Sequence, residues 1–429
     1  MKRKYFRTKY YKRFYATAAG ILIGCLLLCL GGCRGKDAEK KSATENSAMM
    51  QDASSNQDVI EWSAPEREAL SYAREFTLDH YDNGCVLIGI SDGTSFLVVP
   101  QEWESVSDEE LLSGLAQSMP EKVAGNMGAG ATVILRRSVD NIYLVASATM
   151  DMFRALGRLD HIRLSGTNAK DWHIEEAVAA MEAGKIIYAG KYNAPDYELI
   201  LSENCELAIE NTMIEHSPEI KENLQSFGIP VLVDHSSYES HPLGRVEWIK
   251  LYGVLLGEEK EAESLFAKQE QMLAEVEADL SSEGDGERPT VAFFYITNNG
   301  AANVRKASDY VPKMIELAGG TYIYHELGDE ESRSSSMTMQ IEEFYATAKD
   351  ADYIIYNSAI DGEIHSLEEL YDKCKLLSDF KAVQEGHVYC TTKNLYQESM
   401  SIGDLIRDIH VMLDDEDQEK QMKYLYPVE

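Results

Sequence analysis

From Glu258 to Leu280 charged residues alternate with apolar side chains at steps of three and four: Ala262, Leu265, Phe266, Gln269, Met272, Leu273, Val276 and Leu280 fall on one stripe. With no internal Gly or Pro, the segment predicts a single amphipathic helix of roughly 35 Å, at about 1.5 Å per residue. Gly257 precedes it, and the run SSEGDGERP, closed by Pro289, ends it. On both sides, apolar runs of strand length alternate with stretches of helical period, the pattern of an α/β layer fold. The helix is therefore read as a strut over 257–282, between α/β lobes at 61–256 and 288–429.

Before the strut, FTLDHYDNG, CVLIGIS and TSFLVVP read as strands turning at Asn83-Gly84 and Asp92-Gly93, a hairpin that opens the first lobe. A Gly-rich stretch, GNMGAGA, follows. Strands at IYLVAS, HIRLSG, KIIYAG, CELAIE and IPVLVDH then alternate with helices of about ten residues, which predicts parallel pairing through right-handed crossovers. LGRVEWIKLYGVLLG closes this lobe. Beyond the strut, TVAFFYIT, TYIYHELG, ADYIIYNS and HVYCTT are predicted strands; SDYVPKMIELAGG, MQIEEFYATAKD, LEELYDKCKLL and MSIGDLIRDIHVML are predicted helices.

Composition narrows the class. The 429 residues, 44% hydrophobic and 9% aromatic, suffice for two or three domains with real cores. The opening MKRKYFRTKYYKRFY carries seven Lys and Arg and no acid, ATAAGILIGCLLLCL is apolar, and Leu30-Gly31-Gly32-Cys33 ends the run ahead of RGKDAEKK. That order is a targeting signal over 1–32 rather than part of the fold, and about 17 apolar residues sit at the lower limit for a membrane span. Leu-Gly-Gly-Cys resembles the lipobox of bacterial lipoproteins, which implies lipidation of Cys33 and a mature chain anchored to the outer face of the cell membrane. Leu22-Ile23-Gly24-Cys25 fits the same pattern but runs on into apolar residues. Residues 33–60 are polar and read as a disordered tether. Loss of the seven signal-segment cations takes the net charge from −33 to −40, a surface that repels phosphate backbones and excludes nucleic acid as a partner. Cys85, Cys205, Cys374 and Cys390 show no metal-like spacing; outside the cell they allow one or two disulfides, which spacing alone does not pair.

In order, NIYLVASATMDMFRALGRLDHIRLSG, YAGKYNAPDYELILSENCELAIE, FGIPVLV, LYGVLLGEEKEAESLFAKQ, MIELAGGTYI and EEFYATAKDADYIIYN resemble the solute-binding lipoproteins of ABC importers, in the class taking ferric siderophores, haem and cobalamin. The resemblance covers roughly residues 139 to 427. It implies the class III periplasmic-binding-protein architecture: two Rossmann-like α/β lobes, one long rigid helix and little hinge motion. Gly190, Pro195, Glu198 and Glu206 stand at the family's positions, with Cys205-Glu206 where Pro-Asp is usual. In that family one surface Glu on each lobe docks onto Arg side chains of the permease, which implies Glu198 and Glu343 here, with Glu342 the neighbouring choice. Two distant carboxylates on a rigid body register both lobes at once. The resemblance also implies an ABC permease and ATPase as partners, a monomer, and an iron chelate, haem or cobalamin as cargo with no cofactor of the protein's own.

Ligands of open parallel sheets bind beyond the carboxyl ends of strands. Loops so placed carry Met150, Trp172, Tyr192, Met213, His235 and Tyr238 in the first lobe, and Tyr295, Arg305, Tyr356, Asn394 and Tyr396 in the second. Aromatic rings beside Lys191, Arg245, Arg305 and Lys393 suit a flat, partly anionic ligand, although the same rings as core or rim residues would need none. His173 and the run from Asp234 to His241 put imidazoles, a phenol and carboxylates in these loops. Haem iron would take His, Met or Tyr, and a bare ion about three His with a carboxylate; as turn caps the same residues would hold no metal. No Gly-rich phosphate loop, G-x-S-x-G elbow or H-E-x-x-H occurs, so neither catalysis nor a resident metal is expected. The reading is an extracytoplasmic, lipid-anchored solute-binding protein. Its alternatives are a Zn or Mn receptor of the same architecture and a cell-surface sensory or enzymatic lipoprotein.

Overall fold

The computed structural model describes residues 60–119, 132–283, 286–328, 334–414 and 421–429. The signal segment with Cys25, the lipidation candidate Cys33, the tether through residue 59 and GNMGAGA lie outside the described residues.

Five parallel strands form the first lobe's sheet, in the spatial order Val231–Asp234, Ala208–Asn211, Ile142–Leu144, Ile162–Ser165 and Ile187–Tyr188. The chain builds outward from Ile142–Leu144 on one side and then crosses to the other, so the order reverses beside that strand. Alternation along Ala208–Asn211 sends Ile209 into one buried cluster and Ala208 into another, and Glu210 shares the face of Ala208.

In the second lobe, Thr290–Ile296, Tyr353–Tyr356 and Val388–Thr391 are parallel neighbours. Ala302–Arg305, Ser336–Met339 and Leu425–Pro427 extend this sheet antiparallel at its flanks. The hydrophobic pattern does not predict those three, because ANVR and SMTM are short and half polar. TYIYHELG is corrected from a full strand to Thr321–Tyr322, because turn bonds from the amides of His325 and Leu327 to the carbonyls of Tyr322 and Tyr324 curl the rest.

The strands Phe76–His80, Val86–Ile90 and Ser95–Val99 do not open the first lobe's sheet, as the hairpin reading expected. With Glu66–Arg67 and Val133–Arg136 they form a separate five-stranded sheet. Buried carboxylates fasten it. Glu247, itself fully buried, accepts the backbone N–H groups of Ser71, Tyr72 and Ala73, each at 2.8 Å. Glu239 accepts those of Arg74 and Glu75, the shortest at 2.9 Å, together with the indole N–H of Trp248 at 3.0 Å.

Glu247 and Trp248 belong to the helix Pro242–Leu256, which ends where Gly257 takes a φ of 73°. The chain re-enters at once as Glu259–Glu283, 25 unbroken residues or roughly 37 Å. The two helices approach closely because Gly253 has no side chain: a Cβ there would stand 2.6 Å from that of Ala262. The helix Ile402–Leu413 packs on the same strut, and its Gly403 N–H donates to Gln269 Oε1 at 2.8 Å, which gives the polar member of the apolar stripe a partner. Cys85, Cys205, Cys374 and Cys390 are free thiols.

Two stability predictions follow from these buried carboxylates. Glu247→Ala orphans three backbone donors and is expected to cost about 3–5 kcal/mol in urea unfolding, with Glu247→Gln costing less; a loss under 1 kcal/mol for the Ala variant would refute the fastening role. Glu210 is 0% exposed, neither carboxylate oxygen has a hydrogen-bond partner among the described residues, and burial pushes its pKa from 4.5 up to about 8. Its contribution is therefore fully present below pH 4.5 and is lost as pH rises through 8. Glu210→Gln should match the parent near pH 4.5 and exceed its stability near pH 8.5 by about 3–5 kcal/mol, and a pH-independent difference between the two would contradict this.

Candidate functional site

The two lobes and the N-terminal sheet meet around a cavity of about 390 Å³. Ser91 and Asp92 come from the N-terminal sheet, His235 and Tyr238 from the first lobe, and Asp309 and Tyr310 from the second. The first-lobe wall begins where the Val231–Asp234 strand ends. There the buried Asp234 takes hydrogen bonds on Oδ2 from Thr149 Oγ1 at 2.7 Å and Tyr252 Oη at 2.5 Å, and on Oδ1 from the Ser236 N–H at 2.8 Å. This network fixes the backbone on either side of His235. The His235 ring is 3% exposed and meets Tyr238 edge-on, with centroids 5.5 Å apart. Among the described residues neither ring nitrogen has a hydrogen-bond partner, and Nε2 stands 3.9 Å from Asp92 Oδ2.

Asp92 sits in the Asp-Gly turn between two strands of the N-terminal sheet. Burial works to raise its pKa, but hydrogen bonds from the Thr94 hydroxyl at 2.7 Å and amide at 2.8 Å, with the nearby Lys221 and His235, bring it net below the usual carboxylate range. Asp309 caps the helix Tyr310–Leu317 by accepting the Val311 N–H at 3.0 Å. Its burial raises the carboxyl pKa, with Arg305 at 3.8 Å working the other way.

A second cavity, of about 290 Å³, lies at the strand ends where the first lobe's order reverses, against Ser147, Thr167, Lys191, Tyr192 and Asn211. Beside it the lobes are bonded directly. Gln397 accepts the His173 N–H at 2.7 Å and donates to the Asp171 carbonyl at 2.8 Å, and Ser399 Oγ donates to the Ala148 carbonyl at 2.7 Å. The Met400 N–H reaches Asp151 Oδ2 at 2.8 Å.

The residues expected to bind ligand divide accordingly. His235 and Tyr238 line the larger cavity, and Tyr192 the smaller. Met150 and Tyr356 are corrected to core residues: Met150 faces inward from the helix Ser147–Ala155, and Tyr356 donates to Asp361 at 2.6 Å from a fully buried strand. Trp172 is 4% exposed with its indole N–H on Ser165 Oγ, while Met213 is exposed; Tyr295 is half-buried, and all three lie outside both cavities. Arg305 hydrogen-bonds Tyr396 and lies over its ring, 4.9 Å from the centroid, and Asn357 Nδ2 donates to the same phenol at 3.0 Å. Asn394 donates to Glu398 at 2.6 Å. Position after a strand identifies a loop; it does not say which side chains turn back into the protein.

The histidines considered for metal are spread out. His241 accepts the Leu243 N–H at 3.2 Å and stacks on Tyr72, and burial lowers its pKa. Burial, and then Lys393, lower that of His173. Among the described residues no group of three or more His, Cys, Asp or Glu is placed to hold a metal ion. Glu198 and Glu343 are exposed in the first turns of the helices Tyr197–Ser202 and Ile341–Ala348. Sequence reasoning missed Ser91, Asp92 and Asp309. The Asp92-Gly93 turn was visible in the sequence, but nothing local placed it against a lobe 140 residues away.

The fold is shared widely. A periplasmic heme binding protein from Pseudomonas aeruginosa superposes with a TM-score of 0.55 at 14% identity, over 68% of this chain and 98% of that one. An ABC-type Fe3+-hydroxamate transport system protein from Saccharomonospora viridis gives 0.50 at 20% identity, over 65% and 94%. In sequence, an uncharacterized lipoprotein of Methanocaldococcus jannaschii is 23% identical over 411 residues, 92% of each chain. Residues 142–395 match the periplasmic binding protein family, more than half of the chain. With two α/β lobes, a helical strut and a ligand-sized cavity between them, this chain belongs to the periplasmic binding protein family.

Proposed function

We propose that this protein captures an iron complex, a ferric siderophore or haem, or else cobalamin, outside the cell and presents it to an ABC permease and its ATPase. In this reading lipidated Cys33 holds the chain on the outer face of the membrane, and the protein acts as a monomer. The observation that carries the reading is the cavity of about 390 Å³ shared by both lobes, within the size range of small-molecule sites. The named binding roles of the structural relatives, haem and a ferric hydroxamate, support the class of cargo. Exposed Glu198 and Glu343, one on each lobe, suit a two-point contact with permease arginines, where charge sets orientation and encounter rate. The Zn or Mn alternative loses ground, since His173, His235 and His241 do not converge on one point.

Thermal melting of the mature protein with ferric siderophores, haemin and cobalamin tests the cargo. A ligand present at about 100 times its Kd should stabilise by about 2.7 kcal/mol and raise Tm by several degrees, whereas a Tm unmoved by the whole panel would remove the iron-complex reading. For the docking surface, Glu198→Ala combined with Glu343→Ala should leave ligand affinity within about twofold and cut cellular uptake by roughly tenfold or more. Uptake at the parental rate would show that the permease grips elsewhere.

A further inference from the structure

The space between the lobes is divided. The larger and smaller cavities share no lining residue, yet both lie on one row of strand ends: His235 follows Val231–Asp234, and Asn211 ends the neighbouring Ala208–Asn211. The start of the helix Ser147–Ala155 joins their walls. Ser147 lines the smaller cavity, and Thr149 bonds Asp234, which adjoins His235 in the larger. The second lobe comes down on this same helix, with Ser399 Oγ on the Ala148 carbonyl and the Met400 N–H on Asp151 Oδ2, while Gln397 bonds the backbone at Asp171 and His173. Ligand pockets run from about 300 to 1,000 Å³. At about 390 and 290 Å³ each cavity alone stands at the foot of that range, and haem, a ferric tris-hydroxamate or cobalamin is a large ligand for either.

The dividing contact is polar and narrow. Three side chains, Gln397, Ser399 and Asp151, make all four of these bonds. Asp151 is fully buried, and burial raises its carboxyl pKa against Arg154 at 2.6 Å and the Met400 amide. A carboxylate so placed regains water when the lobes part, which offsets the bonds it gives up. Away from this contact the lobes meet through the buried helix Pro242–Leu256, on which Tyr310–Leu317 and Ile402–Leu413 of the second lobe pack. Polar contacts between lobes permit relative motion where apolar ones resist it. Residues 397–400 also travel with the second lobe, since Arg305 and Asn357 hold Tyr396, and Glu398 accepts Asn394 at 2.6 Å and Tyr424 Oη at 2.5 Å.

We propose that residues 397–400 form a latch that keeps the lobes shut between the two cavities in the unloaded protein. Its release, with the lobes pivoting on Pro242–Leu256, joins the cavities into the groove that receives the cargo. This rests on the solute-binding reading and departs from the near-rigid lobes that the family resemblance implies.

Hydrogen exchange at single amides tests the latch, first without ligand. The Met400 and His173 amides should exchange at one common rate, roughly 10-fold or more faster than that of Ala73, which Glu247 holds. Gln397→Ala with Ser399→Ala should speed Met400 by about 10-fold although its acceptor Asp151 is untouched, and leave Ala73 unchanged. Ferrioxamine B, haemin and cyanocobalamin are then added separately. The probe that binds should speed Met400 and His173 exchange in the parent, and should bind the double variant about 10-fold more tightly, because no latch has to be broken. Melting curves establish folding; should the double variant not fold, Ser399→Ala alone is expected to shift exchange and affinity in the same directions by less. Slower exchange of the two amides in the loaded protein, or affinity no higher in the unlatched variant, overturns the latch and leaves the iron-complex reading standing. Failure of every probe to bind either protein removes the iron-complex reading, and the ligand-free rates then decide the latch: Met400 exchanging as slowly as Ala73 overturns it.

Discussion

A helix without a polar face must be covered on every side, and Pro242–Leu256 is such a helix, with thirteen of its fifteen residues buried. The first lobe covers it through Phe153 against Tyr252, and the N-terminal sheet through Phe76 against Trp248, with ring centroids 5.6 and 5.0 Å apart. The strut closes a third side at Gly253 and Ala262. The helix also carries a carboxylate into this apolar setting. Glu247 tolerates it because a loop of the N-terminal sheet supplies three amide donors and Lys250 stands 3.7 Å away. Burial of one acid thus obliges the extension to sit where it does.

That obligation reaches the cavity. The loop held by Glu247 runs on through Arg74 and Glu75, whose amides bind Glu239, and Glu75 and Glu239 both line the cavity. Lys250 bridges outward to Glu263 on the strut at 2.9 Å and to Glu68 of the extension at 3.4 Å. Three bodies are therefore registered through one helix, and the direct bonds of Gln397, Ser399 and Met400 across the lobes tighten the arrangement on the far side. A site whose walls are set in advance loses less freedom when a ligand arrives.

Legibility in the sequence followed the strength of the periodic signal. The strut was plain because one face alternates with charge, and the parallel strands were plain because doubly covered strands read as continuous apolar runs. Pro242–Leu256 was legible only as the stretch that closes the first lobe, since a segment apolar all round has no face to read. The flanking strands ANVR and SMTM gain their place from neighbours rather than from propensity. The lining of the larger cavity was legible in part: His235 and Tyr238 follow a strand end, where the topology rule looks, and both line it. Met150 and Tyr356 follow strand ends or finish them too, yet alternation and helical phase turn both inward. Asp92 was beyond local reasoning, because its role depends on the packing of a sheet that no local pattern ties to either lobe.

The acidity of the cavity is a different matter from the acidity of the whole chain. A formal charge of −33 distributed over a surface keeps a protein soluble, and at physiological salt its field fades within about 8 Å. Carboxylates inside a recess are not screened in that way, and the molecule treats them differently from those at the surface. Asp309 is buried with its pKa raised, and Glu239 is raised by the same cause; Glu239 is answered by the amides of Arg74 and Glu75, and Asp309 by the Val311 amide with Arg305 at 3.8 Å. Amide donors neutralise part of an acid's field without filling the space in front of it, whereas an ammonium side chain from the protein would occupy that space.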